Sequence, residues 1–165
     1  MAHRSEELAV LWPLDRGVAF LNHGSFGACP SEVLRYQAAL RTEMEAEPVR
    51  FLGRELDGRL DAAREALAAF VGADLDDLAF IANATSGVNA VLRSLTLSAG
   101  DELLTTDHAY AACRNALDYV AGRCGARINV AVIPFPVSSK EAVVDAVLAK
   151  VTPRTRLALL DHITS

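Results

Sequence analysis

The chain has 165 residues, a net charge of −5 and a pI near 5.3, and it carries no basic block, which argues against nucleic acid as a partner. Its 52% hydrophobic content and mean hydropathy of +0.22 suffice for a domain with a real core. No apolar run is long enough to span a bilayer, and the first residues lack the order of a signal peptide. Cys29, Cys113 and Cys124 are odd in number and share no CxxC spacing, so they read as reduced thiols of a cytoplasmic protein. His3, His23, His108 and His162 are scattered without zinc-ligand spacing, and no metal is expected.

In chain order, Met1 to Asp15 is polar, then aromatic at Trp12, then broken by Pro13; it predicts an arm or a short helix. Val18 to Leu21 predicts a short extended segment, followed by the glycine-punctuated loop Asn22-His-Gly-Ser-Phe-Gly27. Ser31 predicts an N-cap, with Glu32 in the first turn of a helix that ends before Pro48. Charge is dense from Glu43 to Arg64, with a break at Arg50-Phe-Leu-Gly53; most of it reads as a solvated face. A second helix from Leu56 to Phe70 would carry the apolar stripe Leu60, Ala63, Leu67 and Phe70 and stop at Gly72. Residues 1–75 thus form an arm and helical lead-in with no strand set of their own.

From residue 76 the pattern becomes strand, loop, helix, repeated. Strands are predicted at Leu78–Ile81, Glu102–Thr105, Arg127–Ile133 and Thr155–Leu160. Helices are predicted at Gly87–Leu97, Tyr110–Gly122 and from a Ser138 or Ser139 cap to about Lys150. This alternation implies a three-layer α/β/α arrangement on a mainly parallel sheet. Ligands in such sheets sit beyond the carboxyl ends of strands. Three loops therefore matter: Asn83 to Gly87, Thr106 to Tyr110, and Asp161 to Ser165.

The first, Asn83-Ala-Thr-Ser-Gly87, turns a strand into a helix and aims free N–H groups and the positive end of the helix dipole at one spot. A phosphate would suit that spot; equally, Thr85 or Ser86 would serve as a plain N-cap. In the second, Asp107 reads as a cap for the next helix, while His108 and Tyr110 are either site residues or packing residues. No GxGxxG follows any strand, which argues against a dinucleotide-binding module.

Four stretches in this order, Phe20-Leu-Asn-His-Gly-Ser-Phe-Gly-Ala-Cys-Pro30, Asn83-Ala-Thr-Ser-Gly87, Asp107-His-Ala-Tyr110 and Asp161-His-Ile-Thr-Ser165, resemble the class V aminotransferases, above all the isopenicillin N epimerase-like subgroup. The resemblance implies an aspartate-aminotransferase-like large domain, of which residues 76–165 would be the first half, and pyridoxal 5'-phosphate as cofactor. It implies an amino-acid substrate and a homodimer for the complete enzyme. By the same resemblance Thr85, Ser86 and the Gly87 backbone would hold the cofactor phosphate. His108 would stack on the pyridine, with Tyr110 as the alternative. Ser165, with Thr164 beside it, would lie near the cofactor's 3-hydroxyl. Asn22, His23 and Gly24 would approach the substrate side.

The family's Schiff-base lysine and the aspartate that pairs with the pyridine nitrogen are expected beyond residue 165. Lys140 and Lys150 are the only lysines here, both on a predicted surface helix. The alternative reading is therefore a catalytically inactive fragment that binds phosphate or a partner chain at most.

Overall fold

The computed structural model describes residues 8–164. The chain divides into two units, Met1–Ala79 and Phe80–Ser165.

The first unit is helical: α1 (His23–Phe26), α2 (Ser31–Ala46), α3 (Pro48–Arg50) and α4 (Leu56–Val71), with a π-helical turn, Phe51–Glu55, joining α3 to α4. The break expected at Arg50–Gly53 is thus a widened turn within one helical run. Phe51 is buried there, and the Arg59 guanidinium lies 4.6 Å from its ring centre. Arg59 also pairs with Glu43 and with Glu55, the latter at 2.7 Å, which ties α2 to the turn. Pro48 begins α3, where its missing N–H costs nothing. Gly72 ends α4 at φ 71°, a left-handed conformation that spares only glycine a Cβ clash, and its N–H donates to Ala68 O.

Three expectations change in this unit. Asn22–Gly27 is not wholly loop, since His23–Phe26 closes a helical turn, Phe26 N–H donating to Asn22 O. Pro30, not Ser31, holds the N-cap position of α2. The stripe on α4 is not a buried face: Phe70 is 88% exposed, and Ala68 is the helix's buried residue.

The second unit contains α5 (Ala84–Ser94), β1 (Glu102–Thr106), α6 (Ala111–Cys124), β2 (Arg127–Ala131), α7 (Lys140–Leu148) and β3 (Thr155–Leu159). The strands are parallel in the order β2-β1-β3. Glu102 faces Arg127 and Thr106 faces Ala131, while β1 and β3 align Leu104 with Ala158 across a register shift near Glu102. Every β1 residue is buried, as befits a strand paired on both edges and covered on both faces. Alternate side chains go to opposite faces. Leu103 joins Leu92 of α5 and Ala116, Leu117 and Ala121 of α6. Leu104 joins Ala131 and Ile133 and meets Val143, Ala146 and Val147 around α7. The sheet is therefore sandwiched, and the α/β fold is as expected.

Leu78–Ile81, expected as a strand, is not one. Leu78 has extended angles, φ −109° and ψ 135°, but no neighbouring strand pairs with this segment among the described residues. An apolar run cannot become a strand without a ladder partner to take its backbone N–H and C=O groups.

Candidate functional site

At the entry to α5, Asn83 is extended (φ −166°, ψ 168°) and takes the N-cap position. Its Oδ1 accepts from Ser86 N–H at 2.8 Å, and its carbonyl accepts from Gly87 N–H at 3.2 Å. Thr85 and Ser86 are thereby excluded as caps and lie in the first helical turn instead. The N–H groups of Ala84 and Thr85, and both hydroxyls, have no partner among the described residues. No acid occupies this turn. Unpaired donors at the positive end of a helix are the chemistry of an anion cup. Gly87 serves packing as well, because a Cβ there would stand 2.5 Å from Ile81 Cδ1.

The turn after β1 is fastened from two sides. Asp107 N–H donates to Ala131 O at 3.1 Å, and Asp107 Oδ1 accepts from Ile133 N–H at 2.9 Å. Both bonds extend the β1–β2 pairing beyond the sheet, so Asp107 does not cap α6 as expected. The second fastening comes from Asp161, 51 positions away, whose Oδ2 accepts from Tyr110 N–H at 2.6 Å just ahead of α6. Between these fastenings His108 lines a cleft of ≈ 480 Å³ with Asp107, Ala109, Ala111, Phe135 and Thr164. Tyr110 occupies the N-cap position of α6 and lies outside that lining.

The structure thus brings His108 and Thr164 together. Ala84 and Gly87 line an apolar groove with Leu159, at the carboxyl end of β3, two positions before Asp161. The three loops accordingly lie at the same, carboxyl, end of the sheet. Ser165 lies outside the described residues. Asn22, His23 and Gly24 belong to the first unit; there His23 Nδ1 accepts from Ala28 N–H at 3.4 Å and its ring stands edge-on to Phe20, 4.8 Å between centres. Sequence reasoning missed Asn83 as the cap, although asparagine directly before a helix is a strong capping signal. Nothing local could have revealed that Asp161 takes Tyr110 N–H or that Phe135 lines the cleft, since those neighbours are remote in sequence.

The Aminotransferase class-V family model matches residues 27–165. The chain is 39% identical over 155 residues to an isopenicillin N epimerase of Amycolatopsis lactamdurans, covering 92% of this chain and 39% of that protein. It is 37% identical to the isopenicillin N epimerase of Streptomyces clavuligerus, covering 92% and 38%. It is 33% identical to putative L-cysteine desulfhydrase 1 of Oryza sativa subsp. japonica, covering 92% and 34%. The chain therefore spans well under half the length of these relatives. Among solved structures, the cystine C-S lyase C-DES in complex with its product cysteine persulfide superposes with a TM-score of 0.76 at 22% identity, over 84% of this chain and 36% of that one. Cysteine desulfurase CsdA from Escherichia coli gives 0.74 at 21% identity, over 93% and 40%. At those identities the structures show the fold alone.

Proposed function

The chain belongs to the class-V aminotransferase family, and from that premise we propose that it is the amino-terminal part of a pyridoxal-phosphate enzyme acting on an amino acid. The observation that carries the reading is the first turn of α5, where the Ala84 and Thr85 N–H groups and the Thr85 and Ser86 hydroxyls are unpaired at a helix N-terminus free of acids. That donor set fits a phosphate dianion. The relatives named above support the class of substrate, since epimerases and desulfhydrases of that kind act on amino acids or their derivatives.

In this reading Thr85, Ser86 and Gly87 bind and orient the cofactor's phosphate. His108 presents a flat ring in the cleft, and Thr164 offers a hydroxyl on its rim. Asp161 and Asp107 hold the His108 turn in place. Asn22, His23 and Gly24 serve the substrate side, and Ser165 the cofactor. Pyridoxal phosphate, when bound, supplies an electron sink that eases breaking a bond at the amino acid's α-carbon. The complete enzyme would be a cytoplasmic homodimer with no nucleic-acid partner. Free Cys29, Cys113 and Cys124 accord with a reducing compartment, and among the described residues no helix is long and apolar enough to cross a membrane.

Replacing Thr85 by Ala in the full-length protein should weaken pyridoxal-phosphate retention about tenfold, since a hydrogen bond to a charged group contributes on the order of 1.5–3 kcal/mol. Equilibrium dialysis measures it, and unchanged affinity would return the turn to a structural role.

A second reading applies to the 165-residue chain by itself: it binds phosphate but performs no catalysis. The side chain of Lys140 is 90% exposed and lies 3.7 Å from Glu141, in the first turn of α7. Borohydride reduction with added pyridoxal phosphate should leave no stoichiometric mass adduct on Lys140 or Lys150. A single-site adduct accompanied by amino-acid turnover would make the short chain an enzyme in its own right.

A further inference from the structure

A second group of unused donors lies at the opposite end of α5. Arg93 is in the last turn of α5 and Arg123 in the last turn of α6. Both guanidinium carbons stand near the Tyr119 ring centre, at 5.3 Å and 5.7 Å, within cation–π range. Both arginines line a pocket of ≈ 370 Å³ together with Thr96 and Cys124, over an apolar floor that includes Leu97 and Val120. Neither Arg93 nor Arg123 pairs with a carboxylate among the described residues; Arg16, Arg35, Arg41, Arg54 and Arg127 share that, but only Arg93 and Arg123 stand over one ring and line one pocket. Among the described residues only Arg93 Nε–H is engaged, donating to Asn89 Oδ1 at 3.4 Å.

The simplest alternative is that each arginine merely complements the negative end of its own helix. That would explain one basic residue per helix. It does not explain why both heads converge on one ring and one pocket while no carboxylate joins them.

We propose that this pocket binds a small organic anion, its carboxylate or phosphate held by Arg93 and Arg123. A guanidinium presents a planar fork of donors matched to either group. Tyr119 holds the two heads in place, Thr96 adds a hydroxyl, and the apolar floor takes the carbon skeleton. The volume falls in the range of small-molecule sites. Thr85 and Arg93 lie eight positions apart on α5, roughly 12 Å at about 1.5 Å per residue, so the pocket and the phosphate turn do not share a ligand-binding group.

The test is a titration of the isotope-labelled 165-residue chain, followed by amide NMR, with inorganic phosphate in one arm and succinate in the other. Saturable shifts are expected at Arg93, Thr96 and Cys124. Arg123→Gln should weaken binding about tenfold, and the double variant Arg93→Gln/Arg123→Gln should abolish it. As a second readout, the bound anion should slow iodoacetamide modification of Cys124 and leave that of exposed Cys29 unchanged. A response to phosphate alone assigns a phosphorylated ligand, and a response to succinate alone a carboxylate. The proposal is overturned if neither anion gives saturable shifts, or if the double variant binds as tightly as the wild type.

Discussion

At the scale of single residues, Asn83 and Asp161 decide what their neighbours are free to do. By taking the cap of α5, Asn83 leaves the Thr85 and Ser86 hydroxyls and two N–H groups unspent. By taking Tyr110 N–H, Asp161 anchors the segment from which His108 reaches the cleft. The proposal that His108, rather than Tyr110, stacks on the cofactor is supported by that placement. In the full-length protein, His108→Ala should shift the bound cofactor's visible absorption and lower activity, and His108→Phe should retain more of both because a flat face remains. If Tyr110→Ala causes the larger change while His108→Ala is silent, the ring has been misassigned.

At the scale of elements, the amino end of the sheet is held by one carboxylate. Glu102 on β1 is buried and accepts from the Thr152 hydroxyl at 2.6 Å, from Arg154 at 2.6 and 2.9 Å, and from Asn129 of β2 at 2.8 Å. Hydrogen bonds from Thr152 and then Arg154 hold its pKa below the ordinary 4.5, against the opposing effect of burial. A depressed carboxylate contributes stability that is fully present above its unfolded-state pKa and is lost as pH falls through the lower folded value. Acid unfolding should therefore become steeper below about pH 4.5 in the wild type. Glu102→Gln should be less stable near neutrality and lose that part of the acid dependence. Denaturant midpoints from pH 7 to 3 provide the check, and parallel profiles for the two proteins would remove Glu102 from this role.

At the scale of the whole molecule, β1 lies between β2 and β3, and the outer edges of β2 and β3 have no partner among the described residues. Phe80, Ile81, Leu160 and Ile163 are exposed nearby in sequence to the site loops. Open strand edges and apolar surface favour association. Sedimentation of the 165-residue chain should be concentration-dependent, and Ala158→Lys, a charge on the exposed face of edge strand β3, should shift it toward monomer. A wild-type chain that stays monomeric across the concentration range would show that these edges are protected.

The strand–helix alternation was legible because period and capping are local. Leu103 and Leu104 announce a buried strand, Ser139 caps α7 as its position suggests, and Gly72 stops α4. The family was legible for the same reason, since a few adjacent residues carry each of its motifs. Other features depend on groups distant in the chain. Leu78–Ile81 has the composition of a strand and no partner to make it one. Asp107 could cap α6 but bonds Ile133 N–H instead, and Asp161 takes Tyr110 N–H from 51 positions away. Arg93 and Arg123 are unremarkable on their own helices and meet only because α5 packs beside α6 over one face of the sheet. Sequence determined which elements form and which motif opens α5, because those depend on neighbours within about one helical turn or one strand. Tertiary structure alone decided which donors stay unspent, because a hydrogen bond is assigned by whichever acceptor the packed chain brings within reach.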